Sequence, residues 1–469
     1  MRRRHYLRVT AAGAAGIGLA GCAGGGGDGG SGDGGDGGGS SGGDDGGSGD
    51  GGGSGDGGGD DGGSGDGGSS ETATLELWHD KGKNPNWNPA FEETIPVLND
   101  LLSGIEVEAV PYQSTDSYQG ALRPVLGSNK GPAVFTWWTG ARLRNLIDQG
   151  YAQEITDVWQ EHIDAGEYSE GMMETFGADG QAYAIPSQLA YWPVWYNTET
   201  FDELGVSPPE TWDEFQQVSQ TIIDESGGET APVAIPLSPP WTGFIWFEDL
   251  LVRQDPEFYN RLCKGEANYT DDPCVETLSL MGDLADRGFF GDVNRAFSLA
   301  LDDLPKVLED GSFAMTLMGS WVSSLWTGDL DFSKYDWFPL PPRNQDLGDQ
   351  LIVEPGPFVP HAGHADTEQV RQVADALLST EFQQQWNETQ GFIAANQQVD
   401  TSYLSETKAS LADAVANQDY SFPLRYWENT SPEVAVPASK TMKKAFRPGQ
   451  FSADSVASEL DKLRADVYG

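Results

Sequence analysis

Basic residues are scarce in this sequence. Lys and Arg together number 27 against 73 Asp and Glu in 469 residues, a formal net charge of −46. A field of that sign excludes nucleic acid as a partner and disfavours anionic lipid and phosphorylated solutes. It also repels itself, and salt on the order of 1 M, with a screening length of about 3 Å, removes most of that penalty. The charge balance therefore predicts a protein of a halophile, an archaeon first of all. Cysteine is nearly absent, with only Cys22, Cys263 and Cys274. Histidine is equally sparse, and "HAGH", with His361 and His364, reads as loop. No histidine-metal helix or nucleophile elbow occurs, so neither metal nor other cofactor is expected. Carboxylate pairs of the kind a glycosidase needs are unavoidable among 73 acidic residues and carry no information. Internal repeats are lacking, as is any apolar run after the N-terminal region long enough to cross a membrane.

The N-terminal region has its own logic. Arg3-Arg4-His5-Tyr6-Leu7-Arg8 resembles a twin-arginine export signal, and Leu19-Ala20-Gly21-Cys22 resembles a lipobox. Residues 1–22 are thus expected to be a lipoprotein signal, with Cys22 the lipidated first residue of the mature chain, anchored at the outer membrane face. Residues 23–70 are almost wholly Gly, Asp and Ser. Such a segment cannot bury apolar surface and is expected to act as a disordered tether, its ends on the order of 40 Å apart.

From residue 71 the composition becomes globular. "TLELWHD" (74–80), "IEVEAVPY" (105–112) and "PAVFTWW" (132–138) read as strands, with helices at 89–103, 116–127 and 140–149 between and after them. This order predicts α/β architecture with a parallel sheet covered by helices. Further strands are expected at 182–186, 193–197, 232–237 and 312–319, and helices at 241–254, 273–287 and 367–388. Thr211 with Glu214 forms a capping-box signature. "CKGEANYTDDPC" places Cys263 and Cys274 close enough for a disulfide, or for two unpaired, partly buried thiols. Asn268, Asn387 and Asn429 fit the glycosylation pattern.

In open α/β sheets ligands lie beyond the carboxyl ends of strands. Collecting what stands there gives Trp78, His79, Asp80 and Lys81; Trp137, Trp138 and Thr139; Gln188, Tyr191, Trp192 and Trp195; Trp241; and Ser320 with Trp321. Of the adjacent pair Trp137 and Trp138, strand alternation lets only one face a ligand, and Trp138 is taken. Tyr426 completes the candidate set. Indoles at so many strand ends point to an aromatic-lined cleft, and indole faces pair with the C–H faces of sugar rings. Trp159, Trp212 and Trp386 lie in helical patterns and are expected in the core.

Four segments together resemble the sugar-binding proteins of ABC importers, the maltose-binding-like superfamily. They are "PAVFTWWTGARLRNLIDQGYAQEITD", "DGQAYAIPSQLAYWPVWYNTETFDELGVSPPETWDEF", "EDGSFAMTLMGSW" and "GFIAAN", the last with Ala394 where proline is usual. "SPPWTGFIWFED", through Trp241 and Glu248, is similar to glucose-binding relatives. The resemblance implies a two-lobed periplasmic-binding-protein-like fold (type II), each lobe a mostly parallel sheet flanked by helices, joined by hinge strands. It places one lobe at 71–187 and 352–398 and the other at 188–351 and 399–469, with hinges near 187–190, 350–355 and 396–401. It implies no enzymatic activity, a small neutral carbohydrate as ligand, with a monosaccharide such as glucose ahead of short oligosaccharides, and permease and ATPase subunits as partners. In its terms Gly319 lets backbone approach the solute and Trp321 stacks on the sugar. A secreted carbohydrate-active enzyme and a sugar sensor or adhesion module remain the alternatives.

Overall fold

A computed structural model describes residues 72–83, 87–326, 331–447, 449 and 451–469. The expected signal, Cys22 and the tether fall outside these residues, and every described residue belongs to one unit, residues 68–469.

The chain enters through β1 (Ala73–His79), the helix Trp87–Asp100 and β2 (Ile105–Pro111). Trp87, Ala90, Phe91, Thr94 and Leu98 are the buried positions of that helix, three or four residues apart, so one stripe packs on the sheet while Pro96 sits on the exposed face. Ser114 caps the next helix, Thr115–Leu126, by accepting from Ser117 N, and β3 follows at Val134–Thr136. A short ribbon of β4 (Gly177–Ala178) and β5 (Gln181–Ala182) precedes β6 (Ile185–Trp192), which passes through Pro193 into β7 (Val194–Asn197). The remaining strands are β8 (Ala231–Ala234), β9 (Phe313–Leu317), β10 (Tyr335–Phe338) and β11 (Ile352–Pro360).

The strands form two main sheets. The five-stranded sheet has the order β2-β1-β3-β11-β6. Here β1 runs parallel to β2 and β3, as the β-α-β-α-β order requires, and β11 is inserted antiparallel to both its neighbours. The four-stranded sheet has the order β10-β7-β9-β8. Only β8 and β9 are parallel there, so the expectation of a mostly parallel sheet holds for the first lobe and not for the second. The reason is connectivity: β7 arrives directly from β6, without a covering helix to reverse its direction. β6 therefore links the two sheets without leaving extended structure, paired along its length with β11.

Several local expectations need correction. The strand expected over 132–138 ends at Thr136. The helix expected over 367–388 is two helices, Thr367–Leu378 and Thr380–Gln390, because Ser379 adopts an extended ψ and accepts from Phe382 N to start the second. The capping box is as expected: Glu214 N donates to Thr211 Oγ1 at 3.2 Å and Thr211 N to Glu214 Oε2 at 3.1 Å. Trp159 and Trp386 are fully buried, and Trp212, half-buried, stacks on Phe215. Cys263 and Cys274 are free, buried thiols, so the disulfide is not formed. Asn387 is buried and donates to the Gln383 carbonyl at 2.7 Å, which closes it to glycosylation in the folded state.

Candidate functional site

β11 and β6 meet at an irregularity. Their register shifts between Gly356 and Pro357, where Ser187 donates to the Gly356 carbonyl at 2.9 Å. A Cβ at Gly356 would lie 2.6 Å from the Gln188 side chain, so glycine lets the two strands approach here. Around this bulge is a narrow crevice of about 50 Å³, lined by Asp80, Lys81, Trp87, Trp137, Trp138, Gln188 and Glu354 among others.

Asp80 and Lys81 reach it from the end of β1. Thr115 Oγ1 donates to Asp80 at 2.8 Å, and the Lys81 ammonium lies 3.2 Å from its carboxylate. Burial would raise the pKa of Asp80, but the Lys81 charge and these hydrogen bonds outweigh it and hold the carboxyl below its ordinary value. Trp137 and Trp138 both line the crevice, edge to face at 5.0 Å. The expectation that only one could do so assumed strand alternation, which stops at Thr136. Arg142 stacks on Trp138 at 5.1 Å and on Trp427 at 4.4 Å, and its Nε donates to the Trp427 carbonyl.

Glu354 joins this crevice to a second aromatic group. Its Oε2 accepts from Trp192 Nε1 at 3.0 Å, Trp321 Nε1 at 3.0 Å and Arg425 Nη1 at 2.7 Å. The Arg425 guanidinium lies 3.7 Å over Trp192 and 5.7 Å from the Trp241 ring, and Trp241 and Trp321 are 6.3 Å apart. Beneath it Glu248 accepts from Arg425 Nε at 3.4 Å and from Tyr426 N at 2.6 Å. Burial pulls the Arg425 guanidinium down, but Glu354 and Glu248 more than offset this and keep it charged. Burial dominates at Glu248 and raises it well above the carboxylate range despite Arg425.

The predicted residues thus divide. Asp80, Lys81, Trp138 and Gln188 share the crevice, and Trp192, Trp241 and Trp321 gather one layer away around Arg425. Ser320 is buried, its hydroxyl accepting from Tyr191 N at 3.3 Å. Gly319 serves packing: a Cβ there would lie 2.5 Å from the Trp321 indole nitrogen and 3.0 Å from Trp192.

Others are misplaced by the strand-end rule. His79 is fully buried, stacked on Phe91 at 3.8 Å, because it shares the core-facing side of β1 with Leu75 and Leu77. Trp78 lies on the other side, donating to Glu76 at 2.7 Å and packing on Tyr112. Tyr191 is buried against Phe422, Trp195 is core, with its N–H on the Met318 carbonyl, and Tyr426 is core, its hydroxyl bonded to that of Tyr269. Glu354, Arg425 and Arg142 were missed. The available signal was a lone carboxylate in the apolar run "LIVEP" and a lone guanidinium in "FPLRYW".

Among the described residues no cluster of His, Cys, Asp or Glu is arranged to hold a metal, and no helix is long and apolar enough to cross a membrane.

The chain is 22% identical over 294 residues to the osmoprotective compounds-binding protein of Synechocystis, a match covering 59% of this chain and 66% of that protein. It is 24% identical over 276 residues to the alpha-glucosides-binding periplasmic protein of Rhizobium meliloti, covering 53% and 57% respectively. It therefore spans somewhat less than two thirds of the length of these curated relatives. A chitin oligosaccharide binding protein matches in structure with a TM-score of 0.73 at 19% identity, over 84% of this chain and 99% of that one. The bacterial solute receptor AcbH, with an exclusive preference for β-D-galactopyranose, gives 0.73 at 17% identity, over 85% and 100%. These likenesses show the two-lobed type II solute-binding fold. The profile of the bacterial extracellular solute-binding proteins matches residues 84–384, well over half of the chain, and the chain belongs to that family.

Proposed function

We propose that this chain is the substrate-binding subunit of an ABC importer. It captures an extracellular neutral carbohydrate, a monosaccharide such as glucose or a short oligosaccharide, by hinge closure, and delivers it to the membrane permease and its ATPase. It stands at the outer membrane face, lipid-anchored through Cys22. The observation that carries the sugar reading is the crevice at the β6–β11 bulge. Three indoles, an amide, a carboxylate with its ammonium and a second carboxylate converge there. Flat apolar faces beside both donors and acceptors match a ring with C–H faces and an equatorial belt of hydroxyls. The relatives named for α-glucosides, chitin oligosaccharide and galactopyranose support the same class.

At about 50 Å³ the crevice is far below the several hundred Å³ of a ligand pocket, so entry requires the lobes to part. We place the lobes at 71–187 with 352–398 and at 188–351 with 399–469, moving about the β6–β11 crossing and the segment near 396–401. Binding then favours the closed form by its differential affinity for it. A thermal-shift panel of mono- and disaccharides in molar KCl tests the reading. A bound sugar at a hundred times its Kd adds about 2.7 kcal/mol and raises the melting temperature. Trp138→Ala is expected to fold and to lose that shift. A wild-type protein that no sugar shifts sinks the proposal, and an undiminished shift in the variant removes Trp138 from the site.

A further inference from the structure

Around Arg425 the carboxylates have donors. Glu354 Oε2 accepts from Trp192, Trp321 and Arg425, and Glu248 accepts from Arg425 Nε and Tyr426 N. Asp249 Oδ1 pairs with Arg253 at 2.6 Å. Glu428 is the exception: it is fully buried, and neither of its carboxyl oxygens has a hydrogen-bond partner. A buried carboxylate without donors is far more costly than the neutral acid. The groups that act on it are Arg425 on its own turn, Glu354 on β11, Arg142 on the Gly140–Asp148 helix, Glu248 on the Ile245–Val252 helix and Tyr259 on the Pro256–Cys263 helix. Glu433, on the helix that follows, acts at one remove through Arg142. Glu248, Glu354 and Glu428 thus share two guanidiniums, and one negative charge is in excess. Burial raises the Glu428 carboxyl above the carboxylate range, against Arg425 and Arg142 and with Glu354 adding to it. Burial raises Glu248 as well. Protonating Glu248, however, would weaken its bonds from Arg425 and Tyr426, whereas protonating Glu428 sacrifices none.

Glu428 also stands at a junction. Its backbone lies so close to Gly140 that a Cβ there would come within 2.5 Å of the Glu428 oxygen, and Arg142 Nε donates to the Trp427 carbonyl at 3.1 Å. In the lobe assignment above, Gly140 and Arg142 belong to the first lobe and the Tyr426–Asn429 turn to the second. The turn is fastened within the second lobe: Tyr426 N donates to Glu248, and the Tyr259 hydroxyl donates to the Leu424 carbonyl at 2.7 Å. Parting the lobes therefore draws the turn away from the helix and admits water to Glu428. A hydrated glutamate ionises at about pH 4.3.

We propose that the Glu428 carboxylate takes one proton from solvent when the lobes close and returns it when they part, so that solute capture is tightened by acid and loosened by alkali. The inference rests on the sugar reading and the lobe assignment above, and adds their regulation. The sign follows from linkage: the closed form holds the proton more tightly, so each closure takes up a proton and is favoured as the pH falls.

Calorimetric titration of glucose, galactose and maltose in molar KCl, run in both phosphate and Tris at pH 7, counts the protons exchanged. For any of these sugars that binds, the wild type should take up roughly one proton, and its Kd should rise by up to about ten-fold per pH unit above about pH 5. Glu428→Gln, neutral at every pH, should exchange no proton and bind with an affinity indifferent to pH over that range. Should the variant not fold, infrared difference spectra of the wild type with and without sugar decide, since a protonated carboxyl band should appear on binding. Wild-type binding without proton uptake, uptake that persists in Glu428→Gln, or no such band overturns the linkage and leaves the sugar reading standing. If none of the three sugars binds the wild type, the sugar reading itself fails and the linkage with it.

Discussion

His79 and Asp80 are consecutive in the chain and end on opposite sides of β1. Asp80 looks into the crevice; His79 is stacked on Phe91 in the core, its Nε2 without a partner. Burial lowers the His79 imidazole from 6.5 to about 4, with Asp80 opposing. The unfolded chain thus takes up this proton near pH 6.5, whereas the folded chain resists it until about pH 4. Stability from this group is complete above pH 6.5 and is lost as the pH falls toward 4, by roughly 3 kcal/mol in all. His79→Phe keeps the stack and removes the proton. Urea unfolding of the variant should show an acid-side loss smaller than the wild type's by roughly 2–3 kcal/mol between pH 7 and pH 4. Equal losses in both proteins would show that His79 does not titrate in the folded protein as its burial requires. The same residue shows why the site was half legible. The strand-end rule finds the right end of β1, but the two-residue period then decides which neighbours face the crevice, and an indole such as Trp78 fits either face.

At the scale of elements, alternation and helical spacing in the sequence sufficed for β1, β2 and the helices around them. They failed where a polar residue or a connection overrides them: Ser379 cuts one helix into two, and direct passage of β6 into β7 makes the second sheet mixed. The junction between the Gly140–Asp148 helix and the Tyr426–Asn429 turn could not be read at all, since it joins residues far apart in the chain. Gly140, at φ 62°, lies against the Glu428 backbone; a Cβ there would sit 2.5 Å from the Glu428 oxygen and 2.8 Å from its carbonyl carbon. The same junction carries Arg142 on Trp427. Gly140→Ala therefore combines left-handed strain with a backbone clash, and should cost about 2–3 kcal/mol in denaturant unfolding. A variant as stable as wild type would mean that the helix and the turn separate freely.

For the whole molecule, charge is the governing quantity. A formal net charge of −46 acts against every compact arrangement, and salt shortens its reach from about 10 Å at 0.1 M to about 3 Å at 1 M. The melting temperature should climb steeply with KCl between these concentrations and flatten beyond. Sucrose, which strengthens burial without screening charge, should not reproduce that climb at low salt. A melting temperature indifferent to KCl would refute self-repulsion as the limiting term and, with it, the halophilic reading of the composition.

The carboxylate of Glu354, on the strand β11 that pairs with the crossing strand β6, holds the N–H groups of two of the fifteen indoles. Any motion that draws Trp321 away from that oxygen exchanges a negative neighbour for water. The protein accordingly carries its own optical gauge: tryptophan emission should change colour with each opening, and the capture of a solute can be timed without attaching any dye.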